Sequence, residues 1–461
     1  MTLTALDYDV VIVGAGVVGA AIARDLSRFE LRCTLVEAGP DVGAGTSKAS
    51  TALLHTGFDA KPGTLEARLV RRGHELLSSY AVQVGIPVER TGAFLVAWSE
   101  GQRAAFPGIV ERAHANGYRA IRELETDELY RREPHLGPGA HAALEVPDEG
   151  IVCPFTTPLA FATEAVLSGC ELRLRAPVTR VERLETGFEL AVGGTRLTTR
   201  FLVNAAGLHS DEIDSLAGHV GFTVTPRRGE LIVFDKLARP LLGHIILAVP
   251  AGTTKGVLLA PTVFGNVLLG PTAEDIQDKG DNSSTTEGLA YLRAEGERIM
   301  PKLLRQEVTA VYAGLRAATE HGDYQLAVHG PEGYACAGGI RSTGLTASMA
   351  IAEHVRTELG ARGLPLSERD ELPHVRMPNI GELAPRPYQQ PERIAANPDY
   401  GRVVCFCERV TRGEILDALA SPIPAVDLDG LRRRTRVLMG RCQGFFCAAE
   451  VAALLAEGGG Q

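Results

Sequence analysis

The stretch YDVVIVGAGVVGAAIARDLSRF, residues 8–29, decides the fold. YDVVIV is a short apolar run that ends at a glycine, the pattern of a strand buried on both faces. Gly14, Gly16 and Gly19 then follow in G-x-G-x-x-G spacing and open a helix, AAIARDLSRF. The first glycine makes the turn, the second lets a pyrophosphate approach the backbone, and the third lets helix pack on strand. A second apolar run, LRCTLVEAG at residues 31–39, carries Glu37, whose carboxylate is placed to bond a ribose hydroxyl. Three spaced glycines alone are weak evidence. Strand, turn, helix, strand and acid in this order predict a dinucleotide-binding α/β unit.

Two further segments choose between cofactors. TRFLVNAAGLHSDEI, residues 199–213, is a second strand running into glycine, with Ala206 and Gly207 at the turn. YACAGGIRSTGLTASMAIAEHV, residues 334–355, is a third. A nicotinamide domain is one continuous βαβ block, whereas a flavin domain of this kind is assembled from distant pieces. The pattern predicts FAD. Gly338, Gly339 and Gly344 allow close approach to the isoalloxazine. The amides after Arg341 then face the pyrimidine carbonyl end of the flavin, where negative charge grows on reduction.

The other end of the chain carries a second redox signal. Of eight cysteines, Cys33, Cys153, Cys170 and Cys336 are scattered among apolar or small residues and read as buried structural thiols. Cys405 and Cys407 form C-x-C in GRVVCFCERVTRGEI, and Cys442 and Cys447 form C-x4-C in TRVLMGRCQGFFCAAE. No charged, apolar, small-residue leader precedes the first strand, so a cytosolic setting, where disulfides are rare, is expected. Zinc sites space paired ligands by about two to four residues, which the C-x-C fits poorly, though zinc stays the alternative. Four thiolates can hold a [2Fe–2S] cluster. Thr411-Arg-Gly-Glu414 predicts a capping box just after Cys407, and CAAEVAALLA predicts a helix opening at Cys447. Both helix N-termini are expected to offer free N–H groups to the sulfurs. A chain with a nucleotide redox cofactor at one end and such a cluster at the other passes electrons between them.

Composition bounds the rest. The chain has 461 residues, 45% hydrophobic and 22% charged, with net charge −9, which suits a globular protein of two or three domains and argues against nucleic-acid binding. No apolar run reaches the roughly 20 residues needed to span a bilayer. A cytoplasmic protein is expected, with peripheral attachment to the inner membrane face left open.

The three glycine segments together resemble the D-amino-acid-oxidase/glycerol-3-phosphate-dehydrogenase superfamily of flavoproteins, across roughly residues 7–370. The C-x-C, the TR-x-x-MGRCQG run and the C-x4-C resemble the bacterioferritin-associated-ferredoxin-like [2Fe–2S] domain. One departure is Leu438, where members usually have a second glycine before the Met. With both parts present, the large subunits of anaerobic glycerol-3-phosphate dehydrogenases are the look-alike, although this chain is shorter. GTSKASTALLHTGFDAKPGTLEARLV, residues 45–70, also resembles L-2-hydroxyglutarate oxidases.

The resemblance implies the site residues. Thr46, Ser47, Lys48, Ser50, Thr51 and Leu53 would run along the flavin, and Leu345 and Thr346 would join Arg341 and Gly344 at its far end. Val178 matches a position that contacts the adenine side through its backbone. His55 in LLHTG falls near the reactive flavin edge, where it could accept a hydroxyl proton, fix the substrate, or serve only structure or covalent flavin attachment. His209 and His321 are weaker candidates. Arg316 in VYAGLRAATE matches a G-x-R element that grips an anionic substrate. Arg341 and Lys255 are further cations for the same pocket.

The expected fold class is α/β: a discontinuous Rossmann-like FAD-binding domain, a mixed-sheet substrate domain, and a small helical C-terminal [2Fe–2S] domain. The FAD-binding segments are placed at about 7–88, 150–222 and 326–370, the substrate domain at about 89–149 and 223–325, a proline-containing linker or strap at 371–400, and the cluster domain at 401–457. The expected activity is FAD-dependent oxidation of a small anionic secondary alcohol, glycerol 3-phosphate-like or a 2-hydroxy acid. Electrons would leave through the cluster to a partner subunit or quinone-linked carrier. The alternatives are oxidation of a C–N bond in an amino or imino acid, and a non-catalytic electron-transfer subunit.

Overall fold

The computed structural model describes residues 6–250, 256–330 and 333–458. The strand Tyr8–Val13 is central to an eight-stranded sheet. It pairs in parallel with Cys33–Val36 on one side and with Thr195–Asn204 on the other. Thr195–Asn204 in turn pairs in parallel with Tyr334–Gly338. Strands separated by hundreds of residues thus lie side by side, as the scattered glycine segments predict. The helices Val17–Leu26 and Gly344–Ala361 pack together on one face. Both helices carry small buried residues, such as Ala20, Ala23 and Ala350. Residues 176–207 form an antiparallel three-stranded insert, Val178–Leu184, Gly187–Val192 and Thr195–Asn204.

A nine-stranded sheet lies beside this unit. Val224–Phe234 and Val308–Thr319 are its long antiparallel pair. Ile245–Ala248 pairs in parallel with Ala93–Ala97, while its other pairings are antiparallel, so the sheet is mixed as expected. A three-stranded sheet joins the two regions: Leu53–Leu54 and Val88–Glu89 both flank Gly150–Val152.

The C-terminal unit has its own core. A short hairpin, Val403–Cys405 with Val410–Thr411, and the helices Arg412–Leu419, Leu428–Thr435 and Ala448–Gly458 bury Val404, Val410, Ile415, Leu431, Val437, Leu438, Val451 and Leu454. The unusual Leu438 sits at φ +66°, in the left-handed region, which explains why a glycine suits this position. Its side chain is 2% exposed, so apolar burial offsets the backbone strain.

Residues 371–400 cross the surface as an ordered strap. Met377 N donates to Val84 O at 2.7 Å and Glu382 N to Val263 O at 2.8 Å. Buried Arg386 pairs with Glu414 at 2.7 Å. The cluster unit is also docked directly. Asp41, in the loop after the strand that precedes Glu37, is 1% exposed and accepts hydrogen bonds from Arg433 (2.5 Å) and Arg434 (2.7 and 2.8 Å). Burial works to raise the Asp41 pKa, but the two guanidinium groups outweigh it and hold the carboxyl below its usual range. Arg436 lies over the Phe264 ring at 4.2 Å and reaches Glu408 (3.3 Å) and Asn266 (3.3 Å). The cluster unit is therefore held against both larger regions.

Candidate active site and cluster site

The first glycine turn is built as its spacing requires. Gly14 has φ +99°, and a Cβ there would meet Ala205 O at 2.5 Å. A Cβ on Gly19 would meet Gly14 O at 1.8 Å, so the helix could not approach the turn. Gly16 provides no side-chain cap, and Ser47 supplies one from a distance, its Oγ accepting from Val17 N at 2.9 Å. Glu37 accepts from Ala15 N and from Gly39 N, both at 2.7 Å. Its carboxylate is thus fixed at the turn, with acceptor capacity left for a ribose hydroxyl.

A cavity of about 750 Å³ opens from this turn. Of the residues singled out from sequence, it is lined by Gly16, Thr46, Ser47, Ser50, Thr51, Leu53, His55, Gly207, Arg316, Gly338, Gly339, Arg341, Gly344 and Leu345. Gly14, Gly19, Glu37, Lys48, Val178, Ala206 and Thr346 do not line it. Thr346 is wholly buried and acts as a brace: its Oγ1 accepts from His55 N at 3.0 Å and donates to Leu53 O at 3.2 Å. The helix Gly344–Ala361 starts at the cavity with no side-chain cap, so its first N–H groups are available to a flavin carbonyl. Lys255 lies outside the described residues. His209 and His321 are exposed and engaged elsewhere, with Glu212 and Gly221 O.

Two side chains give the cavity its chemistry. Arg316, on the strand Val308–Thr319, lies flat over Gly229, where a Cβ would meet its Nη2 at 2.7 Å. Its hydrogen bonds are two long ones to Thr272 O, at 3.4 and 3.5 Å. Among the described residues no carboxylate pairs with it. Burial, and secondarily the Arg227 charge, push its pKa down to about 10, which still leaves it cationic at neutral pH. Arg341 differs: it reaches Glu66 at 3.5 Å and donates to Gly322 O at 2.9 Å. Arg227 is held by Asp275 at 2.6 and 2.8 Å. Among the described arginines that line the cavity, Arg316 alone has no carboxylate partner. His55 is half-buried, its Nδ1 3.3 Å from Glu149. Glu149, Gly229 and Arg227 were not legible in the sequence, where no motif marks them.

The four terminal thiols lie within electrostatic reach of one another: Cys407 feels Cys442 and Cys405, and Cys447 feels Cys405 and Cys442. Among the described residues no three Cys, His, Asp or Glu side chains converge on a point that would suit a single ion. Four neighbouring thiols suit a binuclear cluster, whose irons are each held by two thiolates. The backbone N–H of Phe446, with those of Gly444 and Phe445, lowers the Cys442 pKa and favours the thiolate. Burial, followed by the neighbouring Cys405, pushes Cys447 up to about 12, a cost that a cationic cluster would relieve. The expected donation from two helix N-termini is corrected. At Arg412–Leu419 the capping box is present, so Thr411 and Glu414 already use the end of that helix. The donors to Cys442 come instead from the turn before Ala448–Gly458.

Residues 9–357 match the FAD dependent oxidoreductase family, and residues 403–457 match the BFD-like [2Fe-2S] binding domain. The chain belongs to the FAD-dependent oxidoreductase family. A glycerol 3-phosphate dehydrogenase from Caloramator mitchellensis is 33% identical over 98% of this chain and 94% of its own. The anaerobic glycerol-3-phosphate dehydrogenase subunit A1 of Haloferax volcanii is 27% identical over 97% of this chain and 82% of its own. Among solved structures, dithionite-reduced L-alpha-glycerophosphate oxidase from Mycoplasma pneumoniae with FAD bound superposes with a TM-score of 0.76. It is 27% identical and covers 80% of this chain and 99% of its own. This flavoenzyme uses FAD and a [2Fe–2S] cluster. Among the described residues, no helix is long and apolar enough to cross a membrane.

Proposed function

We propose that this flavoenzyme oxidises a small anionic secondary alcohol, with glycerol 3-phosphate the leading candidate, and delivers the electrons to a separate acceptor. The observation that carries this reading is Arg316, a half-buried cation with no carboxylate opposite it among the described residues, lining the same cavity as His55. A guanidinium fork suits phosphate or carboxylate. The names of the similar proteins support the phosphate. In this reading Arg316 holds the anion and His55 takes the hydroxyl proton. Gly14, Gly16, Gly19 and Glu37 hold the nucleotide half of the cofactor, with Val178, Ala206 and Gly207 beside it. Residues 46–53 and 338–346 follow the flavin. Bound FAD supplies the hydride acceptor, and the cluster supplies a one-electron carrier. The acceptor is a partner subunit or a quinone-linked carrier. The division into FAD-binding, substrate and cluster units at the boundaries given above belongs to the same proposal.

Anaerobic mixing of the purified, FAD-loaded protein with candidate substrates tests it. Glycerol 3-phosphate should bleach the flavin absorbance, with L-2-hydroxyglutarate as the carboxylate comparison. Bleaching by glycine or proline, with none by either hydroxy compound, would overturn the alcohol reading in favour of C–N oxidation.

A further inference from the structure

A buried carboxylate stands behind the candidate proton acceptor. The strand Leu53–Leu54 pairs antiparallel with Gly150–Val152, in the register Leu53↔Ile151 and Leu54↔Gly150. Continued by one residue, that register sets His55 opposite Glu149. Glu149 is wholly buried. Its backbone is fixed by N–H donation to Val146 O (3.3 Å) and by Gly92 N donating to its carbonyl (2.9 Å). Its Oε1 accepts from Thr56 N at 2.8 Å and from Thr56 Oγ1 at 2.9 Å. Its Oε2 makes no hydrogen bond and lies 3.3 Å from His55 Nδ1. That spacing is longer than a charge-assisted bond, as catalytic contacts often are before substrate binds.

An ionised carboxylate that is buried with one oxygen unbonded is costly unless it serves a cation or a donor. The imidazole is the group placed to serve it. Three other charged groups along the cavity have their own partners. Glu66 is bonded by Thr343 Oγ1 at 2.8 Å, Arg227 by Asp275 at 2.6 Å, and Glu230 by Thr285 Oγ1 at 2.9 Å.

We propose that Glu149 is a positioning residue for His55, an inference that rests on the proton-acceptor reading of that histidine. Oε2 accepts the Nδ1–H, which selects the tautomer whose Nε2 carries a lone pair for the cavity. When the substrate hydroxyl gives its proton to Nε2, the imidazole becomes a cation; bound FAD would take the hydride from the carbinol carbon. Glu149 stabilises that cation and takes no proton itself. Thr56 keeps the carboxylate aimed by binding the other oxygen.

Glu149→Gln tests this with little change of shape. Both Thr56 groups donate to Oε1, so a glutamine keeps its oxygen there and turns its NH2 toward His55. Nδ1 must then accept, and the proton moves to Nε2. We expect anaerobic flavin bleaching by glycerol 3-phosphate to slow on the order of 10²-fold in limiting rate, with substrate affinity and FAD loading unchanged. Glu149→Asp, which keeps the charge, should recover part of the rate. In ¹⁵N-histidine spectra, with the His55 signals assigned by their loss in His55→Asn, the wild type should show the Nδ1–H tautomer and Glu149→Gln the Nε2–H tautomer. If His55→Asn bleaches at the wild-type rate, the proton-acceptor reading itself fails. If His55→Asn is slow but Glu149→Gln is fast with unchanged imidazole signals, the inference about Glu149 is overturned. Should Glu149→Gln not fold, Thr56→Val replaces it: a partial loss of both rate and tautomer supports the proposal, and wild-type values of both overturn it.

Discussion

Replacing Arg316 with methionine should weaken the substrate and strengthen the protein at once. The side chain is half-buried, lacks a carboxylate partner among the described residues, and has a pKa lowered by desolvation and by Arg227. A fall from the ordinary arginine value to about 10 corresponds to about 3 kcal/mol of electrostatic cost in the charged form. The sign follows from linkage: a base whose folded pKa is depressed is charged at a cost throughout the range below that pKa, and the cost fades only as pH rises through about 10. Methionine keeps most of the volume and removes the charge. At pH 7 and without substrate, Arg316→Met should therefore gain about 1–3 kcal/mol, seen as a higher midpoint in thermal or denaturant unfolding. With substrate the sign reverses. Loss of a charge-assisted bidentate contact costs about 2–3 kcal/mol, or roughly 30- to 150-fold in affinity for glycerol 3-phosphate. Differential scanning of the FAD-loaded protein and titration of flavin bleaching measure the two effects separately. A variant that melts lower and binds substrate as before would refute the reasoning, because Arg316 would then be a structural cation.

Four further outcomes test the cluster unit. Asp41→Asn should loosen its docking by about 3–5 kcal/mol, because two buried guanidinium groups lose their counter-charge; limited proteolysis within residues 371–400 should accelerate. Since the Asp41 pKa is held low, the same docking should be intact above the ordinary carboxylate range and fail as pH drops through the folded value, which proteolysis across pH 2–6 would reveal. Leu438→Gly should relieve about 1 kcal/mol of backbone strain but lose the burial of a leucine worth about 2–5 kcal/mol, leaving a net loss of about 1–4 kcal/mol in urea unfolding followed by cluster absorbance. Cys442→Ala should lower iron below the two atoms per chain expected of the wild type and abolish reduction of an external acceptor, while substrate still bleaches the flavin; loss of bleaching in a folded, FAD-loaded variant would show that the cluster is not simply downstream.

What the sequence determined by itself was whatever depends on neighbours in the chain. The glycines at 14, 16 and 19 form a turn through local φ angles and close packing, and the capping box at Thr411 and Glu414 closes within one helical turn. The cysteine spacing implied a common metal because the two motifs are short and chemically distinct. Leu438 stood out as a departure, and the left-handed φ supplied its reason. Tertiary structure alone decided the partners. Asp41 meets Arg434 across 393 residues, and Glu149 meets His55 through the register of two short strands. Neither pair leaves a local signature, because a buried carboxylate is chosen by the group that folding brings to it. The same holds for Arg316: the sequence offered Arg316, Arg341 and Lys255 for the pocket, and among the described residues Arg341 reaches Glu66 across the fold while no carboxylate pairs with Arg316.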